Sequence, residues 1–190
     1  MNIFYLDDNP QIAAEMHCDK HVVKMLVEYA QLMSTAHRVT DGLPIISKSK
    51  TGRKVTRYIL REPELENILY KACHVNHPSA IWARESKQNY SWLLNLWLCL
   101  HNEYKSRYKK EHKSYTLLRY YLCEIPQGTA SGEFSEPPQC MPDDAKIVGS
   151  SLDAYRNYYI KYKHEFAKWK MGNVPTWYSD NLEKGEYALL

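Results

Sequence analysis

The stretch HCDKHVVKMLVEYAQLMST, residues 17–35, decides the fold. Its polar residues His17, His21, Lys24, Glu28, Gln31 and Thr35 recur at steps of four and three, so on an α-helix they form one narrow rail. Between them lie Val22, Val23, Met25, Leu26, Val27, Tyr29, Ala30, Leu32 and Met33, apolar nearly all round. A helix this apolar is buried, so its polar rail must face water, a partner or a wetted cavity. Upstream, Asp8 or Asn9 can cap the helix and Pro10 fits its first turn; downstream, no Gly or Pro intervenes before Gly42. The pattern predicts one long helix over 10–38.

Outward from this helix, the segment 47–61 carries Lys48, Lys50, Arg53, Lys54, Arg57 and Arg61 and no acidic residue. It reads as a basic loop, with a short hairpin through Ile45-Ile46 and Val55 to Ile59 as a weaker alternative. Pro63 opens a helix over 63–72, and Asn76-His77-Pro78 precedes a second long helix from Ser79 to Lys110 with Trp82, Trp92, Leu93, Leu96, Trp97 and Leu100 as its apolar stripe. A short helix is expected over 115–122 and a last one over 151–170. Between them, 125–150 holds Pro126, Gly128, Gly132, Pro137, Pro138, Pro142 and Gly149 and reads as a long Pro-rich loop. The expected fold class is all-α, a compact single-domain helical bundle over 1–190 with one basic loop and one Pro-rich loop.

The chain has 190 residues, which suits one core, and Gly and Pro number 7 and 9, far too few for low-complexity disorder. Lys and Arg number 25 against 22 Asp and Glu. No run matches a membrane span or a signal peptide, which points to an intracellular protein, cytoplasmic and without a membrane partner. The five cysteines are widely spaced and form no Cys-x-x-Cys pair, so they read as reduced core residues. The 16 tyrosines stand out, and such an excess suits a wet surface that stacks against a ligand.

Several side chains can carry chemistry. The plain reading of the rail is a solvated face with a Lys24–Glu28 pair; the sharper one is a catalytic wall with Glu28 as acid, base or cation stabiliser and His17, His21 and Lys24 beside it. His17 and His21, four apart, also match the spacing of two metal-binding imidazoles, but the intervening Glu of the zincin pattern and a third ligand are missing, and no metal or cofactor is expected. Asn76 and His77 either cap the following helix or, with Trp82 and Arg84, line the same pocket as the rail and Gln31. Three basic clusters, at 48–61, 105–119 and 156–170, alternate with acidic segments, and the last interleaves Tyr155, Tyr158, Tyr159 and Tyr162 with Arg156 and Lys161. Basic clusters with interleaved aromatics fit a nucleic-acid surface.

The C-terminal Pro175-Thr176-Trp177-Tyr178, the tail Lys184-Gly185-Glu186-Tyr187-Ala188, the early His17 and Gly42, and Asn76-His77-Pro78 ahead of a long helix together resemble the phage endonuclease V and pyrimidine-dimer DNA glycosylase family. The sequence also resembles proteins common in tailed phages along its whole length. The resemblance implies a small all-α protein that excises a damaged or modified base, a pyrimidine by preference, from duplex DNA. In that family an amine exposed by loss of the initiator Met is the nucleophile; here Asn2 follows Met1. The family's catalytic Glu lies two turns beyond the His, where this chain has Lys24, and the nearest carboxylate on the rail is Glu28.

The reading is therefore a monomeric DNA glycosylase that repairs DNA by base excision. Glu28 stabilises the sugar cation or activates water, His17, His21 and Lys24 assist, and Lys24 or the N-terminal amine serves any lyase step. Arg53, Arg57, Arg156 and Lys161 would hold phosphates, with Trp177 and Tyr178 near the opened duplex. A non-catalytic nucleic-acid-binding phage accessory protein is the alternative, and a metal-dependent hydrolase centred on His17 and His21 the third reading.

Overall fold

The expected long first helix is two helices, and the break between them shapes the rest of the chain. In the computed structural model, which describes residues 1–183, α1 spans Pro10–Met16 and α2 spans Asp19–Asp41. Asn9 caps α1, its side chain accepting from Gln11 N, with Pro10 in the first turn. No glycine or proline ends it. Instead the buried Arg107 guanidinium donates to the carbonyls of Glu15 (2.9 Å) and His17 (2.8 Å), and Trp169 Nε1 donates to the carbonyl of Met16 (3.1 Å). These side chains take the carbonyls that would have continued the helical ladder. His17 and Cys18 are extended, and Asp19 restarts the helix while its carboxylate accepts from Arg107 (3.1 Å) and from Lys170 N (2.8 Å).

Gly42 stops α2, and the next segment is a hairpin rather than a basic loop. Strand β1 (Leu43–Lys48) pairs antiparallel with β2 (Lys54–Ile59) in the register Leu43 opposite Ile59 through Lys48 opposite Lys54. The turn closes through Ser49 N to the Arg53 carbonyl (2.8 Å) and Gly52 at φ +80, a conformation glycine adopts without strain. The chain is thus mostly helical with a small two-stranded sheet, which corrects the all-α expectation. The hairpin is rooted by Arg38, fully buried, which donates to the carbonyls of Tyr58, Glu66, Leu69 and Tyr70 and pairs with the Glu66 carboxylate.

Helix α3 (Pro63–Ile68) is followed by α4 (Pro78–Glu85) and α5 (Lys87–Tyr108), a second place where one expected helix is two. Here Ser86 is the cause: its hydroxyl accepts from Asn89 N, capping α5, and donates to the Glu133 carbonyl (3.2 Å). Helix α6 (Lys113–Leu122) and α7 (Ser151–Tyr162) flank the long segment 125–150, which is irregular apart from one 3-10 turn at Asp143–Ala145, and α8 spans Thr176–Glu183. Side chains stand in for ladder bonds along that segment: Asp41 accepts from Gln127 N and Gly128 N, Trp82 Nε1 donates to the Ser135 carbonyl, and Tyr155 donates to that of Pro138. The expected tail, Lys184 to Ala188, lies outside the described residues.

Helix α2 is the central element, packed by α4, α5 and α6. Along it, buried histidines pair with tyrosines: His17 Nε2 with Tyr29 (2.9 Å), His21 Nδ1 with Tyr159 (2.5 Å) and His37 Nε2 with Tyr90 (3.0 Å). Five of the 16 tyrosines, Tyr5, Tyr29, Tyr90, Tyr155 and Tyr159, are fully buried donors or acceptors, so the tyrosine excess serves the interior as much as any stacking surface. The cysteines also depart from expectation: all five are free thiols, but only Cys18 is buried, and Cys123 is exposed.

The helix break makes Arg107 the residue to test. Arg107→Leu leaves the Glu15 and His17 carbonyls and the Asp19 carboxylate without their donor in a buried setting, and is expected to cost about 3–5 kcal/mol in urea unfolding. Arg107→Lys, whose single ammonium cannot reach all of these acceptors together, recovers only part of that loss.

Candidate active site

The first half of α2, the extended N-terminal segment, the start of α4 and the end of α7 enclose one polar cleft of about 520 Å³. Its floor is set by Phe4, whose amide donates to Tyr29 Oη (3.1 Å) and whose ring stacks on His21 with centroids 4.2 Å apart. Lys24 and Glu28 stand on the wall formed by α2, their charges 3.0 Å apart. The Glu28 side chain is only 18% exposed and has no other partner among the described residues. Opposite, Lys163 donates to Tyr158 Oη (2.9 Å) and lies over that ring, and Lys20 lies 4.5 Å above the Phe166 ring. His77 closes a third side; its Nδ1 accepts from Ser79 N (3.2 Å), so the residue caps α4 and faces the cleft at once. Cys140, from the long irregular segment, completes the lining beside Ser79.

His21 is the most unusual group here. It is 4% exposed and lines the cleft; its Nδ1 is held by Tyr159, and Nε2 has no hydrogen-bond partner among the described residues. Burial first, and then the surrounding cationic groups, lower its pKa to about 2, so the ring is neutral at ordinary pH. His17 differs. The break between α1 and α2 turns it off the rail into the core, where Nδ1 bonds the Ala13 carbonyl (2.6 Å) and Nε2 bonds Tyr29, leaving neither nitrogen for a substrate or a metal. No cluster of metal-ligating side chains occurs among the described residues.

The cleft therefore gathers Glu28, Lys24, His21 and His77 of the expected site. It does not gather the others. Gln31 is half-buried farther along α2, Asn76 is exposed in its turn, Trp82 packs in the core against Trp92 and Phe134, and Arg84 donates to the Ala80 carbonyl of its own helix. Arg156 is spent on the Leu6 carbonyl (3.0 Å) and Asp7, Lys161 on Asp144, Trp177 on Met16 Sδ, and Tyr178 is buried against Trp169. Arg53 and Arg57 sit on the hairpin, away from the cleft lining. Sequence reasoning missed Phe4, Cys140 and Phe166 as lining. It read Tyr158 and Lys163 only as part of a basic cluster, and Lys20, four residues before Lys24, was the one local signal for a second cation.

No protein-family model matches the chain, and no curated protein or solved structure matches it. What the cleft does chemically is therefore argued from its own groups: the Glu28 carboxylate, the ammonium groups of Lys20, Lys24 and Lys163, the imidazoles of His21 and His77, the Cys140 thiol, the N-terminal residues Met1 and Asn2, and aromatic walls.

The buried histidines make stability depend on pH. Burial also lowers His17 and His37, each to about 4, from the usual 6.5. As pH falls through 6.5 the unfolded chain binds these protons and the folded chain does not, so stability is full above that value and drains below it by about 1.4 kcal/mol per pH unit for each histidine. Between pH 7 and pH 5, His17 and His21 together are expected to cost about 4 kcal/mol. Urea midpoints across this range measure the loss, and His37→Gln should lower the proton uptake on unfolding by one.

Proposed function

We propose that the protein is a DNA N-glycosylase whose cleft receives one damaged or modified base, a pyrimidine by preference, turned out of the duplex. The observation that carries this reading is the grouping of a mostly buried carboxylate, Glu28, with the Lys24 ammonium at 3.0 Å and His21, whose Nε2 has no partner among the described residues, in a cleft walled by Phe4, Tyr158 and Phe166. The volume suits a single nucleotide, and Lys20, Lys24 and Lys163 outnumber the one carboxylate, as an anionic ligand requires. Aromatic walls offset the unstacking that a flipped base costs.

In the reaction, the bond from the sugar C1′ to the base nitrogen breaks, and the base keeps the bonding pair. Positive charge builds on the sugar, where the Glu28 carboxylate stabilises it and takes a proton from the water whose oxygen bonds C1′. His21 is neutral, so it orients that water through Nε2 rather than acting as an acid. The departing base is met by the ammonium groups of Lys20 and Lys163 beside the aromatic walls, and its proton comes from them or from solvent. Lys24 is engaged with Glu28, which favours water over its amine as nucleophile. The resemblance of the chain's ends to phage endonuclease V and pyrimidine-dimer glycosylases points to the same bond.

One observation favours a second reading. Among the described residues Glu28 has Lys24 as its one partner, the pairing of an ordinary polar helix face. On that reading the protein binds nucleic acid without cutting it. Incubation with ultraviolet-irradiated, deaminated and phage-modified DNA, followed by mass spectrometry of abasic sites and free bases, separates the two. The glycosylase releases base, and Glu28→Gln lowers release at least about 100-fold with binding retained. Binding without release, or release unchanged in Glu28→Gln, overturns the assignment. Borohydride trapping reports whether Lys24 enters a covalent lyase step.

A further inference from the structure

We infer that the β1–β2 hairpin is a duplex-binding arm, the part of the molecule that grips nucleic acid away from the opened base. The inference deepens the reading above by naming the partner that the hairpin takes, and its own evidence is local to the hairpin. Residues directly opposite on an antiparallel pair share a face, so Pro44, Ile46, Lys48, Lys54, Thr56 and Tyr58 make up one face. On it Ile46 is 72% exposed, and Lys48 stands directly across from Lys54. Like charges in that position repel, and the turn adds Lys50 and Arg53.

Nothing in the described structure relieves this repulsion. No acidic residue occurs between Leu43 and Arg61, and none of Lys48, Lys50, Arg53 or Lys54 pairs with a carboxylate among the described residues. An isolated two-stranded hairpin is only marginally stable, so four unpaired cations at its tip call for an external polyanion. The hairpin is held rigidly at its base, by Arg38 to the Tyr58 carbonyl (3.0 Å) and by Leu60 N to Glu66 (3.0 Å), and is free at its tip. A two-stranded ribbon fits the major groove of a duplex. A lipid surface fits less well, because the exposed apolar residues divide between the two faces, with Ile46 on one and Leu43 and Ile45 on the other.

The root of the arm follows α2 directly. Seventeen helical residues separate Lys24 from Asp41, about 25 Å of axial rise. The root of the arm therefore lies about 25 Å along the α2 axis from Lys24 of the cleft, and its cationic tip lies beyond that root.

Binding to an undamaged duplex of about 24 base pairs, followed by fluorescence anisotropy between 50 and 200 mM salt, tests the arm whether or not any base is excised. The parent protein is expected to bind with a steep salt dependence. Changing Lys48, Lys50, Arg53 and Lys54 together to Gln should flatten the slope of log K against log salt by about three to four and weaken binding at least tenfold at 50 mM. Lys48→Arg with Lys54→Arg should keep the parent slope. An unchanged slope in the Gln variant, absence of duplex binding by the parent, or tighter association with phosphatidylserine vesicles or polyglutamate than with the duplex overturns the inference.

Discussion

The site depends first on where one guanidinium places its N–H groups. Arg107, on α5, reaches between α1 and α2 and takes two main-chain carbonyls, Glu15 and His17, together with the Asp19 and Glu103 carboxylates. Its side chain is only 2% exposed, so the charge survives burial only because each donor finds an acceptor. The outcome is a local change of direction. Met16 ends one helix, His17 swings inward, and α2 begins afresh so that His21, Lys24 and Glu28 share a face toward the cleft. Trp169 and Lys170, far along the chain, lock the same corner from the other side.

The interior of this protein is unusually polar for a helical core, and it resolves that polarity in pairs. Each buried imidazole along α1 and α2 meets a phenol, and each phenol is itself raised far above its normal pKa by burial. The pairs are therefore neutral, avoiding the desolvation cost of a buried ion while satisfying hydrogen bonds. Surface charge is handled differently. Lys24, Arg38 and Arg107, for example, pair with carboxylates, whereas Lys48, Lys50, Arg53 and Lys54 of the hairpin do not among the described residues. A net charge of +3 hides this division between spent and available cations.

How far the sequence could be read follows from the same distinction. The four-and-three spacing of the polar rail in an otherwise apolar stretch marked α2 as a buried helix, cap candidates that included Asn9 and His77 and the prolines beside them located helix starts, and the run of Pro and Gly located the irregular segment. Local signals were enough for these. The break at His17 was not legible, because Arg107 and Trp169, which cause it, lie tens of residues away; the break at Ser86 has a local cap in Ser86 itself, and only its bond to the Glu133 carbonyl is distant. For the same reason, His17 looked like part of the rail, and the intramolecular contacts of Arg156 with Leu6 and Asp7 and of Trp177 with Met16 were not legible. That Glu28, Lys24 and His21 share one wall was legible because their spacing is local; that Phe4 and Phe166 join them was not, because only tertiary packing brings them to the rail.

The bond between His21 on α2 and Tyr159 on α7 joins two separate elements through one ring nitrogen. Whether Tyr159 gives or takes the proton there decides whether the nitrogen facing the cleft is a donor or an acceptor. The chemical polarity of the cleft is thus written at its back wall. A change in how α7 seats against α2 would exchange the hydrogen-bonding character offered to a ligand by shifting one proton between the two ring nitrogens, without moving any heavy atom that the ligand touches.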